Sequence, residues 1–125
     1  MNKDLNFKVG DNILMIRKRM GLTRAQFSER CDISEGYLAA VESGAKGMRL
    51  DTLQKISRGA GVSADFLLNG DAKDENRLFL EFAKQLSPEE GRQAMNVLIT
   101  YMNSLHELGI KANRAKEPEQ EDDVL

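Results

Sequence analysis

Apolar residues recur at helical spacing in the first part of the chain. Spacings of three and four residues place side chains on one face of an α-helix. The pattern predicts a helix over residues 8–20, which Gly21 ends. Its apolar stripe consists of Val9, Ile13, Ile16 and Met20.

Start and stop residues divide the next fifty residues into short helices. Thr23 and Gln26 have the spacing of a capping box, in which each side chain bonds the other residue's backbone N–H. Ser34 and Ser63 are further N-cap residues, and Gly44 is a helix stop. These signals predict four helices, at about 24–31, 35–43, 51–60 and 64–68.

The pattern changes after residue 70. Residues 74–86 are amphipathic, and Ser87-Pro88-Glu89-Glu90 is a strong start signal for a helix that reaches Leu108. The chain is therefore predicted to be all-α, with a five-helix domain, two C-terminal helices and an acidic tail that lacks a fixed structure. The predicted boundaries are 7–70, 74–109 and 110–125.

Composition excludes several functional classes. Cys31 is the one cysteine and His106 the one histidine, so we expect no disulfide, metal site, cofactor or catalytic constellation. No apolar run approaches the ~18 residues of a membrane span, and no signal peptide is evident at the N-terminus. We expect a cytoplasmic protein that is not an enzyme.

Charge is divided unevenly along the chain. Residues 1–70 carry 11 Lys and Arg against 8 Asp and Glu, whereas residues 71–125 carry 7 against 12. A basic N-terminal part in a chain of net charge −2 is compatible with a surface that binds phosphates.

The second and third predicted helices have the pattern of a helix-turn-helix. Ser28 is small where two such helices cross, and the second helix of the pair would enter the major groove. The apolar residues that can converge on a core are Phe27, Cys31, Ile33, Leu38 and Val41.

Three stretches closely resemble the phage repressor and Cro family, which includes the xenobiotic-response-element (XRE) regulators of bacteria. They are residues 21–28, residues 33–44 with Ile33-Ser34, Tyr37-Leu38 and Val41-Glu42-Ser43-Gly44, and residues 50–70 with Leu50-Asp51-Thr52-Leu53 and the run from Gly61 to Gly70. The resemblance covers about residues 7–70. It implies a five-helix repressor-like domain that binds double-stranded DNA, usually as a homodimer on a two-fold operator.

The resemblance also suggests roles for single residues. Arg17 and Glu42 fall where the family often has a partly buried ion pair. Exposed positions of the third helix would read bases: Glu35, Gly36, Ala39 and Ala40. Candidates for contact with the DNA backbone are Thr23, Arg24, Gln26, Tyr37, Lys46 and Arg49.

Some residues depart from the family pattern. Arg24 stands where Gln is common, Asp32 where the turn favours Gly, and Arg49 where Ser often caps the fourth helix. The third helix also lacks the Arg, Asn and Gln side chains that make bidentate base contacts. Glu35 can accept from a cytosine amino group, and an alanine can touch a thymine methyl.

A second apolar stripe lies near the C-terminus, with the spacing of a coiled-coil seam. It either folds back on its own chain or meets a second protomer, and we favour dimerisation because two half-sites raise affinity. A peptide or protein ligand there is a further alternative. The residues are Ala94, Leu98, Tyr101, Leu105 and Leu108.

Two functions therefore compete. The first is a sequence-specific DNA-binding regulator, expected to be a repressor, whose affinity falls with salt. The second is a protein-binding module, such as an antitoxin-like or antirepressor subunit, with weak or no DNA readout of its own. The weak chemistry of the third helix and the acidic C-terminal third motivate this alternative.

Overall fold

The fold is all-helical, as the sequence predicts. The computed structural model describes residues 3–109, which form seven helices and no strand. The predicted acidic tail, residues 110–125, lies outside the described residues. The helices are α1 (Lys3–Arg19), α2 (Arg24–Cys31), α3 (Glu35–Glu42), α4 (Leu50–Ala60), α5 (Ala64–Asn69), α6 (Glu75–Lys84) and α7 (Pro88–Glu107).

Most boundaries agree with the prediction, but α1 begins five residues earlier than expected. Asp4 lies in its first turn, where a carboxylate interacts favourably with the helix dipole. Leu5 is partly buried against the core and extends the apolar stripe by one turn. The ring of Phe7 lies against Gly44, so contacts from the loop after α3 also support the added turns.

The N-terminal core is built from the inward faces of α1 to α5. Ile13, Phe27, Leu38, Ile56 and Leu67 are fully buried, one from each of these helices. Burial of one large apolar side chain contributes about 1.5–3 kcal/mol. Helices of 6–17 residues are marginal alone, so their stability comes from this shared core.

A close approach of α1 to α3 fixes the position of the third helix. A Cβ atom on Gly10 would lie 2.2 Å from the Val41 carbonyl oxygen, so only glycine fits there. Such contact lets the two backbones pack directly against each other. The outward face of α3 is thereby held at a set angle to α1.

Two buried polar side chains, which no local sequence pattern indicates, hydrogen-bond the turns before and after α5. Asn12 donates from Nδ2 to the carbonyls of Leu67 and Gly70, and its Oδ1 accepts from the Ala72 N–H. Glu81 on α6 accepts the Ser63 N–H at 3.0 Å. These bonds satisfy backbone groups in the turns around α5, which burial would otherwise leave unpaired.

The structure divides into two compact units after Gln85. The first contains α1 to α6, so α6 belongs with the N-terminal helices, with Leu78 and Glu81 buried. The second begins at Leu86 and contains α7, whose start is a complete capping box between Ser87 and Glu90. The division of the chain into units does not test whether residues 74–109 act together in dimerisation, and this stays a prediction.

Candidate nucleic-acid interface

The second helix begins at a capping box, as predicted. Thr23 Oγ1 accepts the Gln26 N–H at 3.1 Å, and Gln26 Oε1 accepts the Thr23 N–H at 2.9 Å. The capping box uses only the Oε1 atom of the Gln26 amide. The Nε2 group has no hydrogen bond in the part of the chain that the structure describes. Thr23, Arg24 and Gln26 are all exposed at this end of α2.

The turn between α2 and α3 contains a residue in the left-handed conformation, Asp32, and the N-cap residue of α3, Ser34. Asp32 has φ 60° and ψ 47°, so the departure from glycine leaves the turn intact. Asp tolerates this conformation better than most residues. Ser34 then caps α3, because its side chain accepts the Tyr37 N–H at 3.1 Å.

Apolar packing joins the two helices as expected. Phe27, Cys31, Leu38 and Val41 are buried, and Ile33 is partly buried against them. Burial raises the pKa of the Cys31 thiol to about 11, although the nearby Arg30 opposes the shift. Cys31 is therefore a protonated core residue at neutral pH.

The exposed side of α3 carries small side chains. Glu35 and Gly36 are exposed at its N-terminal end, whereas Ala39 and Ala40 are half-buried. A carboxylate and two methyl groups offer one hydrogen-bonding group and two apolar contacts to base edges. Two of the four predicted base-reading residues are therefore exposed as expected, whereas the two alanines are less exposed than expected. Their contact with bases stays a prediction.

A buried ion pair links α1 to the end of α3. Arg17 Nε donates to Glu42 Oε2 at 2.6 Å, and Arg17 Nη2 donates to Oε1 at 3.1 Å. The Glu42 side chain is 3% exposed and that of Arg17 10% exposed. Arg17 also donates from Nη1 to the Leu22 carbonyl at 3.0 Å. Each of its three side-chain nitrogens therefore has a hydrogen-bond acceptor.

Arg24 makes a contact that sequence reasoning missed. Its Nε lies 3.6 Å from Glu42 Oε1, although its side chain is 44% exposed. The two residues are separated by 18 positions, and no local pattern indicates their proximity. The tertiary fold brings the start of α2 to the end of α3.

The loop after α3 is braced by Tyr37. Its hydroxyl donates to the Gly47 carbonyl at 3.2 Å, and Lys46 Nζ lies 5.8 Å from the centre of its ring. The Tyr37 hydroxyl proton is therefore engaged within the protein, and contact of this residue with the DNA backbone stays a prediction. Lys46 itself is exposed.

Arg49 lies just before α4 and makes no side-chain cap. Its side chain pairs with the exposed carboxylate of Asp51, and this hydrogen bond holds the pKa of Asp51 below its ordinary value. The pair is a surface contact of small energy. The contact with Asp51 therefore holds the Arg49 guanidinium only weakly.

The stripe predicted to mediate dimerisation is exposed along α7. None of the residues of α7 is buried. Leu98, Tyr101 and Leu108 have 39%, 59% and 73% of their surface exposed, and Ala94 is also exposed. Leu105 is half-buried.

Two further observations concern membrane spans and metal sites. None of the helices within residues 3–109 is long and apolar enough to cross a bilayer. In the same range, no three His, Cys, Asp or Glu side chains come together as a metal site.

Comparison with known proteins agrees with this geometry. A family model described as "Helix-turn-helix" matches residues 13–67. The uncharacterized HTH-type transcriptional regulator y4dJ of Sinorhizobium fredii is 32% identical over 60 residues, which cover 48% of this chain and 78% of the regulator.

Two other relatives are regulators by name. Control protein C.MunI of Mycoplasma sp is 26% identical over 72 residues, covering 57% of this chain and 97% of the relative. The immunity repressor protein of Bacillus phage phi105 is 30% identical over 82 residues, covering 66% of this chain and 54% of the repressor. With its capped helix pair and these relatives, the chain belongs to the helix-turn-helix family of the XRE type and is a DNA-binding transcription regulator, not an enzyme.

Proposed function

We propose that the chain binds a two-fold operator as a homodimer and represses transcription there, with α3 in the major groove. The observation that carries this proposal is the capped, exposed N-terminal end of α3, where Glu35 and Gly36 are accessible. In helix-turn-helix proteins the N-terminal residues of this helix contact base edges.

Phosphate contacts position the protein in this proposal. Arg24 and Gln26 lie at the exposed start of α2, where unpaired backbone N–H groups also favour an anion. The side-chain hydroxyl of Thr23 keeps its proton for a further bond. Lys46 and Arg49 lie beyond the other end of α3, in the loop before α4, so cations both precede and follow the reading helix.

Base reading rests on few contacts. Glu35 is proposed to accept a hydrogen bond from a cytosine amino group, and Ala39 or Ala40 to touch a thymine methyl. Gly36 allows close approach of the backbone. Because these contacts are few, sequence-dependent DNA shape contributes a large share of the specificity.

Dimerisation through α7 is proposed because its apolar stripe is exposed over several helical turns. Leu98, Tyr101 and Leu108 leave apolar surface in water that a second copy would cover. Two linked DNA-binding units then engage two half-sites, which raises the overall affinity. Repression is supported by the name of the phage relative. The cytoplasmic location expected from the sequence belongs to the same proposal, because bacterial and phage DNA is read there.

Selection from a random double-stranded DNA library tests the proposal. The expected product is a two-fold motif whose half-site centres are about 10 base pairs apart. Binding of the selected DNA should weaken steeply as salt is raised, because phosphate contacts release counterions. Absence of any enriched motif at low salt would contradict sequence-specific binding.

A matched pair of variants identifies the reading residue. Glu35→Gln should change the enriched base at one position of each half-site from cytosine to adenine, because Gln bonds adenine in two places. Glu29→Gln makes the same change of charge on the exposed surface of α2. We expect the Glu29→Gln motif to equal that of the parent protein.

A protein-binding module is the second candidate. The exposed apolar surface of α7, together with the small side chains of α3, favours it. In that case the purified chain would form a stable complex with another protein through α7 and would select no DNA motif. The library selection therefore separates the two candidates.

A further inference from the structure

One buried carboxylate serves two arginines at the start of the proposed DNA surface. Glu42 accepts hydrogen bonds from Arg17 at 2.6 Å to Oε2 and at 3.1 Å to Oε1, and the Arg24 Nε lies 3.6 Å from Oε1. Arg17 is nearly buried, whereas Arg24 is close to half exposed.

The charges show that Arg24 is not needed to neutralise Glu42. Arg17 alone provides a bidentate positive partner for the buried carboxylate. The three side chains together therefore carry one excess positive charge, and it lies on the exposed member, at the first residue of α2. A structural pair has no need of this second cation.

The Arg24 guanidinium can contact one group through its Nε side and another through its Nη side. It has five N–H donors in a rigid plane, and the contact with Glu42 engages the Nε side. Its Nη groups have no other partner in the part of the chain that the structure describes. A lysine ammonium has the same charge but lacks two separate donor edges.

The capping box also leaves donors at this place. It bonds the Thr23 and Gln26 N–H groups, while the backbone N–H groups of Arg24 and Ala25 have no acceptor within residues 3–109. First-turn N–H groups without a partner favour an anion. The donors and the Arg24 side chain belong to the same turn of helix.

We propose that Glu42 is a positioning residue for DNA binding: it holds Arg24 through Nε, so that the Nη groups meet a DNA phosphate at the start of α2. The inference rests on the proposed function, which places a phosphate there. Holding the side chain before DNA binds reduces the freedom that is lost on binding. The buried ion pair thereby contributes to affinity as well as to folding.

A double-mutant cycle on DNA affinity tests the coupling. Glu42→Gln should weaken binding of the selected operator about five- to tenfold in the parent protein. In the Arg24→Ala background the same change should alter affinity less than about twofold, because the residue that Glu42 positions is gone. A purely structural role for Glu42 would instead lower affinity equally in both backgrounds. Circular dichroism shows whether each variant is folded.

Arg24→Lys tests the same idea with Glu42 intact, and it decides the matter if Glu42→Gln does not fold. We expect roughly tenfold weaker binding than the parent, because an ammonium donates from a single point and lacks the two donor edges with which a guanidinium faces Glu42 and a phosphate together. Arg24→Ala should also reduce the slope of log affinity against log salt by about 0.9 for each phosphate that the variant no longer binds. Arg30→Lys and Arg30→Ala, on the exposed surface of the same helix, are the matched controls.

Different failures have different meanings. Unchanged affinity and salt slope in Arg24→Ala would overturn the phosphate contact, and the inference with it. Weakened binding in Arg24→Ala, with parental affinity in Arg24→Lys and an additive cycle, would leave the contact in place and overturn the positioning role. A parent protein that selects no DNA at low salt would overturn the proposed function itself.

Discussion

The stripes of α1 and α7 have the same helical spacing but different environments. Val9, Ile13 and Ile16 of α1 are buried within the first unit, whereas Leu98 and Tyr101 of α7 are exposed. Both helices carry apolar residues three and four positions apart. The spacing therefore indicates a helix with one apolar face, but it does not indicate what covers that face.

The polar residues of the two helices differ as well. The apolar stripe of α1 is accompanied by two buried polar residues, Asn12 and Arg17, each hydrogen-bonded to distant parts of the chain. The polar bonds of α7 are local, such as the one from Thr100 Oγ1 to the Asn96 carbonyl. Long-range polar bonds specify one arrangement of α1 in its unit, whereas α7 is held as a helix mainly by local contacts.

The largest effect is expected from breaking the buried ion pair of the first unit. Glu42→Ala leaves the Arg17 guanidinium buried without its carboxylate, so we expect a loss of about 3–5 kcal/mol in the free energy of unfolding. Denaturant titration measures it. Glu35→Ala, at the exposed start of the same helix, should change stability by less than about 0.5 kcal/mol. An unchanged Glu42→Ala midpoint would contradict a structural role for the pair.

The second prediction concerns the exposed stripe of α7. Leu98→Glu with Leu105→Glu places two charges on the proposed seam, so the protein should become a monomer in light-scattering measurements. Its affinity for a two-fold operator should fall about 100-fold, because the second half-site no longer assists. The first unit should remain folded.

A control pair on the other face of α7 tests whether the added charges alone cause the change. Asn96→Glu with Asn103→Glu introduces the same charges at the same separation of seven residues, away from the apolar stripe. We expect a dimer with parental affinity. A dimer that survives the two leucine substitutions would show that α7 has a different role.

The smallest effect concerns the buried thiol of the first unit. The Cys31 pKa is about 11 in the folded protein against an ordinary value of 9.0, so the folded state keeps a proton that the unfolded chain releases between these values. Stability is therefore unaffected below pH 9 and falls as pH rises toward 11, by up to about 2 kcal/mol. Unfolding of the parent and Cys31→Ala proteins across this range measures the difference. Parallel curves would contradict a buried thiol.

Several features of the site were predictable because their signals are local. Thr23 and Gln26 form the expected capping box, and Ser34 caps α3 as expected. The pairing of Arg17 with Glu42 followed from the family resemblance rather than from any pattern of charge. The contact of Arg24 with Glu42 was not predictable, because it depends on where two helix ends meet.

The hydrogen bond of Tyr37 is a second contact that the sequence did not indicate. The family resemblance makes it a candidate for contact with the DNA backbone, which stays a prediction, but it did not indicate that the hydroxyl donates to Gly47 or that the ring lies beside Lys46. A side chain with one donor has many acceptors within reach in a folded protein. Only the path of the loop after α3 selects among them.

The sequence by itself determined the all-helical class, the ends of most helices, and the helix-turn-helix core, because capping and periodicity act within a few residues. The tertiary structure decided that Glu42 serves two arginines, that Asn12 and Glu81 hold the turns around α5, and that α6 belongs with the first unit. These features join residues far apart in the chain. Their energies depend on burial and distance, which exist only once the helices have packed.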